Sequence, residues 1–223
     1  MRKGGFKLGL IPETHKRHIA EELNEKLMNP VRLVVFTQQI ECPYCMHTRN
    51  LVEELVSLSG KIKMEVYDLL TDSAKAKEYG VDKVPAVAII GEKDYGLRFY
   101  GLPYGYEFQT LLGALYAASN GRTDLPQHIK DQLKTVKAPV QIKVFVTLTC
   151  PYCPAAASTA YKFAVENDFI KADVIDVAEF PHIGLKYGVM GVPKTVINDR
   201  IEFLGALPEE VFLEHVLLAA SQS

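Results

Sequence analysis

No stretch of this sequence approaches the ~20 consecutive apolar residues that a membrane-spanning helix requires, so no membrane association is expected. An excess of one charge is also missing. The 25 Lys and Arg against 27 Asp and Glu leave a formal net charge of −2, with no long run of either sign. Neither a nucleic-acid backbone nor an anionic bilayer is then the expected partner. The amino terminus, MRKGGFKLGLIPETHKRH, lacks the unbroken apolar core of a secretory signal, because Lys7 and Pro12 interrupt it. A cytoplasmic protein is the expectation. Cysteine is scarce as well: there are four, all within two copies of one tetrapeptide, and none is left over to staple the fold. In a reducing compartment such usage points to metal binding or catalysis rather than structural disulfides.

What the sequence does hold is a repeat. ECPYCMHT (41–48) returns as TCPYCPAA (149–156), and Cys42 and Cys150 stand 108 positions apart. Asp68 and Asp176, Tyr79 and Tyr187, and Pro85 and Pro193 keep the same offset, and YGVDKVPAVAII (79–90) lines up with YGVMGVPKTVIN (187–198) without a gap. NPVRLVVFT from Asn29 matches APVQIKVFV from Ala138 at 109, and GLPYGYEF from Gly101 matches GALPEEVF from Gly205 at 104, so the later loop is shorter in the second copy. A duplicated unit of about a hundred residues is an ordinary domain size. The expected domains are 1–120 and 121–223, with the turn-rich SNGRTD (119–124) as a linker.

Both units carry the same order of patterns. β-Branched and aromatic runs at Val31–Phe36 and Val140–Val146 predict strands, each followed by a CPYC and a helical stretch. A strand ending at Asp68 or Asp176, a short helix, a hairpin (Ala86–Ile90 with Leu97–Tyr100, Thr195–Asn198 with Ile201–Leu204) and a closing helix complete each copy. An additional helix is expected before each unit, over Glu13–Met28 and Gln127–Lys137. The fold class is α/β, a mixed central sheet flanked by helices in each domain.

If the helix starts at the CPYC, Cys42 is its N-cap, Pro43 its first residue and Cys45 its third. A thiolate on Cys42 would then face the free N–H groups and positive dipole end of the first turn, which lowers its pKa. Residues three apart on a helix come within about 5–6 Å, close enough to form a disulfide. Cys42 could then attack a substrate disulfide and Cys45 resolve the mixed disulfide, with Cys150 and Cys153 in the same roles. Pro154 predicts an irregular start or kink in the second helix. Glu41 before Cys42, against Thr149 before Cys150, and Lys194 after Pro193, against Ala86 after Pro85, predict that Cys150 is the more acidic thiol.

A zinc or rubredoxin-like knuckle also uses CPxC, but its halves stand ~15–20 residues apart, whereas Cys45 and Cys150 are 105 apart in separate copies. His15, His18 and His47 fit solvated helix faces, and GEKDYG (91–96) reads as a hairpin loop. Pro85 and Pro193 each follow their CPYC by 43 positions at a strand entry.

This pattern resembles the thioredoxin superfamily. Two such units with glutaredoxin-type CPYC motifs, preceded by an extra helix, resemble in particular the protein disulfide oxidoreductases of thermophilic archaea and bacteria. The resemblance implies two tandem thioredoxin-like domains and two redox-active disulfides, Cys42–Cys45 and Cys150–Cys153, with no other cofactor and no metal. It implies cis-prolines at Pro85 and Pro193, with Val84 and Val192 pairing to an extended substrate strand. Tyr44 and Tyr152 would shape the rim of each site. The partners implied are protein thiols and disulfides and a thioredoxin-reductase-like flavoprotein. Unlike thioredoxins, the strands before the CPYC motifs carry no buried Asp, which leaves Glu41, Asp68 or Asp176 to exchange the resolving cysteine's proton. The competing readings are a tandem electron-transfer module for a peroxidase and a cysteine-ligated metal carrier.

Overall fold

The computed structural model describes residues 9–222, so the first part of the amino-terminal segment read as lacking a signal lies outside the described residues. The first half runs α1 (Glu13–Lys26), β1 (Val31–Thr37), α2 (Cys45–Ser57), β2 (Ile62–Asp68), α3 (Ser73–Tyr79), β3 (Ala86–Ile90), β4 (Leu97–Tyr100) and α4 (Glu107–Asn120). The second repeats it as α5 (Gln127–Leu133), β5 (Val140–Val146), α6 (Cys153–Glu166), β6 (Ile170–Asp176), α7 (Pro181–Lys186), β7 (Lys194–Ile197), β8 (Ile201–Leu204) and α8 (Glu209–Ser221).

Each half forms a four-stranded mixed sheet, and the two join into one eight-stranded sheet of order β2-β1-β3-β4-β6-β5-β7-β8. The seam is a parallel pairing of β4 with β6, in which Leu97 to Tyr100 stand opposite Ala172 to Ile175. β1 is parallel to β2 and antiparallel to β3, β3 is antiparallel to β4, and β6 is parallel to β5. It follows that β1 and β5 point the same way, and the CPYC motifs that follow them emerge at the same edge of the sheet.

The β-branched runs explain the central strands. Leu33 and Val35 enter a core shared with α1, α2, α4, α5, α6 and α8, while Val34 and Phe36 face the smaller core beneath α3 and α7, as the period of two requires. Polar contacts reinforce the seam: the buried Tyr161 hydroxyl donates to the Arg98 carbonyl at 2.7 Å, and the Leu102 N–H donates to Glu179 at 2.7 Å.

Several boundaries differ from the sequence reading for visible reasons. α5 stops at Leu133 instead of Lys137, because the Asn167 amide donates to the Leu133 and Val136 carbonyls and turns the chain inward. α1 stops at Lys26, where Leu27 takes an extended conformation. Residues 119–124 are no loose linker. Ser119 and Asn120 end α4, Ser119 exchanges hydrogen bonds with Asn29, and Thr123 donates twice to Glu166. The 91–96 loop is a hairpin connection that also carries Asp94, whose carboxylate grips the buried Arg98 guanidinium through both oxygens.

Candidate functional site

Both cysteine pairs are closed as disulfides, Cys42–Cys45 with Cα atoms 5.4 Å apart and Cys150–Cys153 with Cα atoms 5.5 Å apart. Cys45 and Cys153 are buried, Cys42 is half-buried, and Cys150 lies just beneath the surface. Each pair bridges the turn after a central strand to the first residue of the helix packed on that strand.

The helix start corrects the expected capping. α2 begins at Cys45 and α6 at Cys153, with Tyr44 and Tyr152 at the cap positions, so Cys42 and Cys150 stand in the turn leading in. The Cys45 N–H reaches the Cys42 carbonyl at 3.3 Å, which closes a turn ahead of the helix rather than its first α-helical bond. The later start also explains why Pro154 causes no kink: it lies in the first turn of α6, where its missing N–H has no helical partner to lose. Capping chemistry survives at the second pair, where the Cys153 N–H donates to Cys150 Sγ at 3.2 Å. At the first pair the N–H contact goes to the other sulfur, from Gln38 to Cys45 Sγ at 3.4 Å.

The Val84–Pro85 and Val192–Pro193 peptide bonds are cis. Pro85 and Pro193 are buried, and Val84 and Val192 half-buried. The Val192 carbonyl oxygen lies 3.7 Å from Cys150 Sγ, so this residue borders the second disulfide directly. Tyr44 and Tyr152 are exposed beside their pairs. A groove of about 650 Å³ runs past Cys42 and Cys45, lined by Gln38, Met46, Arg49 and Asp68 among others.

Lys194 does not serve Cys150. It alternates with Thr195 along β7 and so points to the sheet face opposite α6, where its ammonium meets Glu202 at 2.8 Å and the Tyr187 carbonyl at 2.8 Å. His15, His18 and His47 are exposed. No group of three or more His, Cys, Asp or Glu side chains among the described residues is placed to hold a metal ion.

The acidic candidates separate clearly. Glu41 is exposed in a left-handed conformation (φ 58°). Asp68 accepts N–H bonds from Thr71 and Leu70, which hold its carboxyl below the usual range. Asp176, at the end of β6 opposite Val146, is buried, and burial raises its carboxyl against the opposing Ala178 N–H. Its Oδ2 has no hydrogen-bond partner among the described residues.

Glu107 escaped the sequence reading altogether. It is fully buried in the first turn of α4, neither carboxylate oxygen is hydrogen-bonded, and burial pushes it up to about 7, opposed by Thr110 and assisted by the charge of Asp176. Glu179 is likewise pushed up to about 7, by burial first, with the Leu102 N–H opposing and Asp176 assisting. Asp176 raises both Glu107 and Glu179 through its charge, so the three buried carboxyls face one another near the β4–β6 seam. Helical spacing gave a signal for Glu107, since it leads the stripe Glu107–Leu111–Ala114–Ala118, whose members are all buried.

Comparison with known proteins agrees with this geometry. A thioredoxin-domain family model matches residues 31–112 and again 140–218. The crystal structure of a protein disulfide oxidoreductase from Aeropyrum pernix K1 superposes with a TM-score of 0.89 at 34% identity, over 96% of this chain and 95% of that one. The structure of the alkylhydroperoxide reductase AhpF from Enterococcus faecalis gives a TM-score of 0.84 at 25% identity, over 93% and 99%. An NADH dehydrogenase of Bacillus subtilis is 30% identical over 148 residues, 66% of this chain but 27% of that protein, so the chain spans under a third of that relative's length.

Proposed function

The chain belongs to the thioredoxin-domain family in both of its halves, and from that premise we propose that it is a protein dithiol–disulfide oxidoreductase with two active pairs. The observation that carries this is the recurrence, twice in one chain, of a half-exposed or near-surface cysteine disulfide-bonded to a buried one, beside a cis Val-Pro bond. The likeness to the Aeropyrum pernix oxidoreductase over nearly the full length supports it.

Cys42 and Cys150 are the attacking thiols and Cys45 and Cys153 the resolving ones. In the reducing direction, the Cys150 thiolate attacks one sulfur of a client disulfide and expels the other as a thiolate, which takes up a proton. The Cys153 thiolate then attacks Cys150 Sγ, freeing the second client thiol and closing Cys150–Cys153. Two electrons pass to the client, and a dithiol or flavoprotein reductase restores the pair. Run backwards, the same steps form client disulfides. Val84 with Pro85 and Val192 with Pro193 align the client strand, and Tyr44 and Tyr152 border it. Glu107, pushed up to about 7, is the group assigned to take and return the Cys153 proton, with the raised Asp176 beside it in charge contact. The disulfides are the only cofactors in this reading, the setting is the cytoplasm, and the units divide as 1–120 and 121–223, where α4 ends.

The test removes one pair at a time. Cys42→Ser with Cys45→Ser, or Cys150→Ser with Cys153→Ser, should each leave reduction of a protein disulfide by dithiothreitol running on the remaining pair, while all four substitutions abolish it. Isomerisation of a scrambled disulfide protein should require both pairs. Undiminished catalysis by the four-serine protein would overturn the assignment.

A second reading, an electron-transfer module between a flavoprotein and a peroxidase, is favoured by the fold shared with the alkylhydroperoxide reductase AhpF. Transfer of reducing equivalents from a flavoprotein reductase to a peroxidase in preference to client proteins would select it.

Cys150 is expected to ionise at lower pH than Cys42. The N–H of Cys153 points at Cys150 Sγ, and the negative Glu41 adjoins Cys42 whereas neutral Thr149 adjoins Cys150; the Lys194 ammonium, held by Glu202 and the Tyr187 carbonyl, contributes nothing. Alkylation rate against pH for each thiol, in a Cys45→Ser, Cys153→Ser protein, measures the order, and equal or reversed pKa values would refute it.

A further inference from the structure

We propose that the second disulfide reads its client with a wall supplied by the first unit. The β4–α4 loop, residues 101–106, joins segments 147–152 and 188–193 in an uncharged aromatic rim that selects cysteines flanked by apolar and aromatic residues. The proposal rests on the oxidoreductase reading and adds a client class to one of its two sites.

The loop is seated against the second site by its backbone. The Tyr106 N–H donates to the Leu148 carbonyl at 3.1 Å, two residues ahead of Cys150. Gly105 has a φ of +61°, and a Cβ there would stand 2.5 Å from the same carbonyl oxygen, so only glycine permits the approach. The other end is fastened by the Gly101 N–H to the Pro85 carbonyl at 2.9 Å and the Leu102 N–H to Glu179 at 2.7 Å. A loop held at both ends offers its side chains without a large ordering cost on binding.

Sheet topology restricts this to one site. The β4–β6 seam sets the β4–α4 loop of the first unit beside the end of β6, from where its Tyr106 N–H reaches the Leu148 carbonyl after β5. The first site lies beside β2, an outer strand with no neighbour beyond it among the described residues. In the second unit the matching loop, GALP, is shorter and leads into Glu209 and Glu210.

The composition of the rim points to its ligand. GLPYGY, TLTCPY and GVMGVP contain no charged residue in 18 positions, in a chain that is 23% charged. The equivalent segments of the first site carry Glu41, Asp82 and Lys83. Tyr104 (40%), Tyr106 (52%), Tyr152 (70%) and Met190 (95%) are exposed on these segments, which carry or bond to the reacting Cys150 and the Val192 carbonyl. Large apolar groups left in water beside a reactive sulfur, with no charge to attract a polar partner, suit an apolar, aromatic client segment.

Tyr104→Ser with Tyr106→Ser is introduced into two parents, one keeping only the second pair (Cys42→Ser, Cys45→Ser) and one only the first (Cys150→Ser, Cys153→Ser). Each is assayed with two disulfide-linked peptides, one with Phe and Leu beside the cysteines and one with Lys and Glu. At the second pair the kcat/KM preference for the apolar peptide should fall about tenfold, through KM, the scale of one aromatic contact. At the first pair the preference should stay where it was. An unchanged preference at the second pair, or an equal fall at both, overturns the proposal. Hydroxyethyl disulfide, which has no side chains to read, reports separately on the chemistry. If the parent keeping the second pair cannot reduce it, the oxidoreductase reading fails and takes the rim with it.

Discussion

Replacing Glu107 with glutamine is expected to slow turnover at the second pair by roughly 10–100-fold near pH 7, at the lower end of what general acid–base catalysis contributes. The same change should remove the limb of the pH–rate profile near 7, because the carboxyl that titrates there is gone. The first pair, assayed alone, should not respond, because α4 packs on α6 of the second pair and Asp68 beside the first pair is held ionised by its N–H bonds. Stability should move the opposite way. The folded-state pKa of Glu107 lies above its unfolded value near 4.5, so folding favours the protonated form. That contribution is complete below about pH 4.5 and is lost as pH rises through about 7. Above pH 7 the glutamine protein should therefore gain on the parent by roughly 2–3 kcal/mol, and near pH 4 the advantage should vanish. Denaturant unfolding at pH 4.5 and 8 measures the difference. A rate loss that is uniform across pH and an advantage that is flat with pH would remove Glu107 from the proton path.

Gly91→Ala should destabilise the protein by about 3 kcal/mol, at the upper end for overpacking. Gly91 begins the β3–β4 loop against α4, where a Cβ would stand 2.0 Å from the Ala118 carbonyl oxygen and 2.7 Å from its carbon. Both are helix backbone and cannot swing aside, so strand and helix must part. For a chain of this size the expected fall in Tm is roughly 6–12 °C. Gly113, within α4, has open space where a Cβ would stand, with nothing within 4 Å, and Gly113→Ala should raise stability by about 0.5–1 kcal/mol. If Gly91→Ala melts with the parent, the close approach of loop and helix is wrong.

Much of the architecture could be read from the sequence because the chain states it twice. The hairpin Ala86–Ile90 with Leu97–Tyr100 falls where alternation and the intervening turn residues set it, and the cysteine pairs needed only their spacing. Readings that depended on direction did less well. Lys194 sits next in sequence to Pro193, but the period of two along β7 carries its side chain to the far face of the sheet. The helix start shifted because adjacent Cys-Pro-Tyr residues suit a turn as well as a helix. The β4–β6 seam comes from pairing between units, which no local pattern encodes. Helical spacing puts Glu107 at the head of the apolar stripe of α4, but its burial depends on α4 packing against α6 of the other unit.

The parallel seam makes the molecule a gauge. From β1 to β5 there are four strand spacings, about 19 Å across the sheet, with both disulfides at one edge of that continuous sheet. An extended polypeptide covers that span in about six residues at roughly 3.3 Å each. Two client cysteines would need at least about that separation in sequence to meet both pairs at once, so the four-strand spacing sets a lower bound on the separations that one client could present to both.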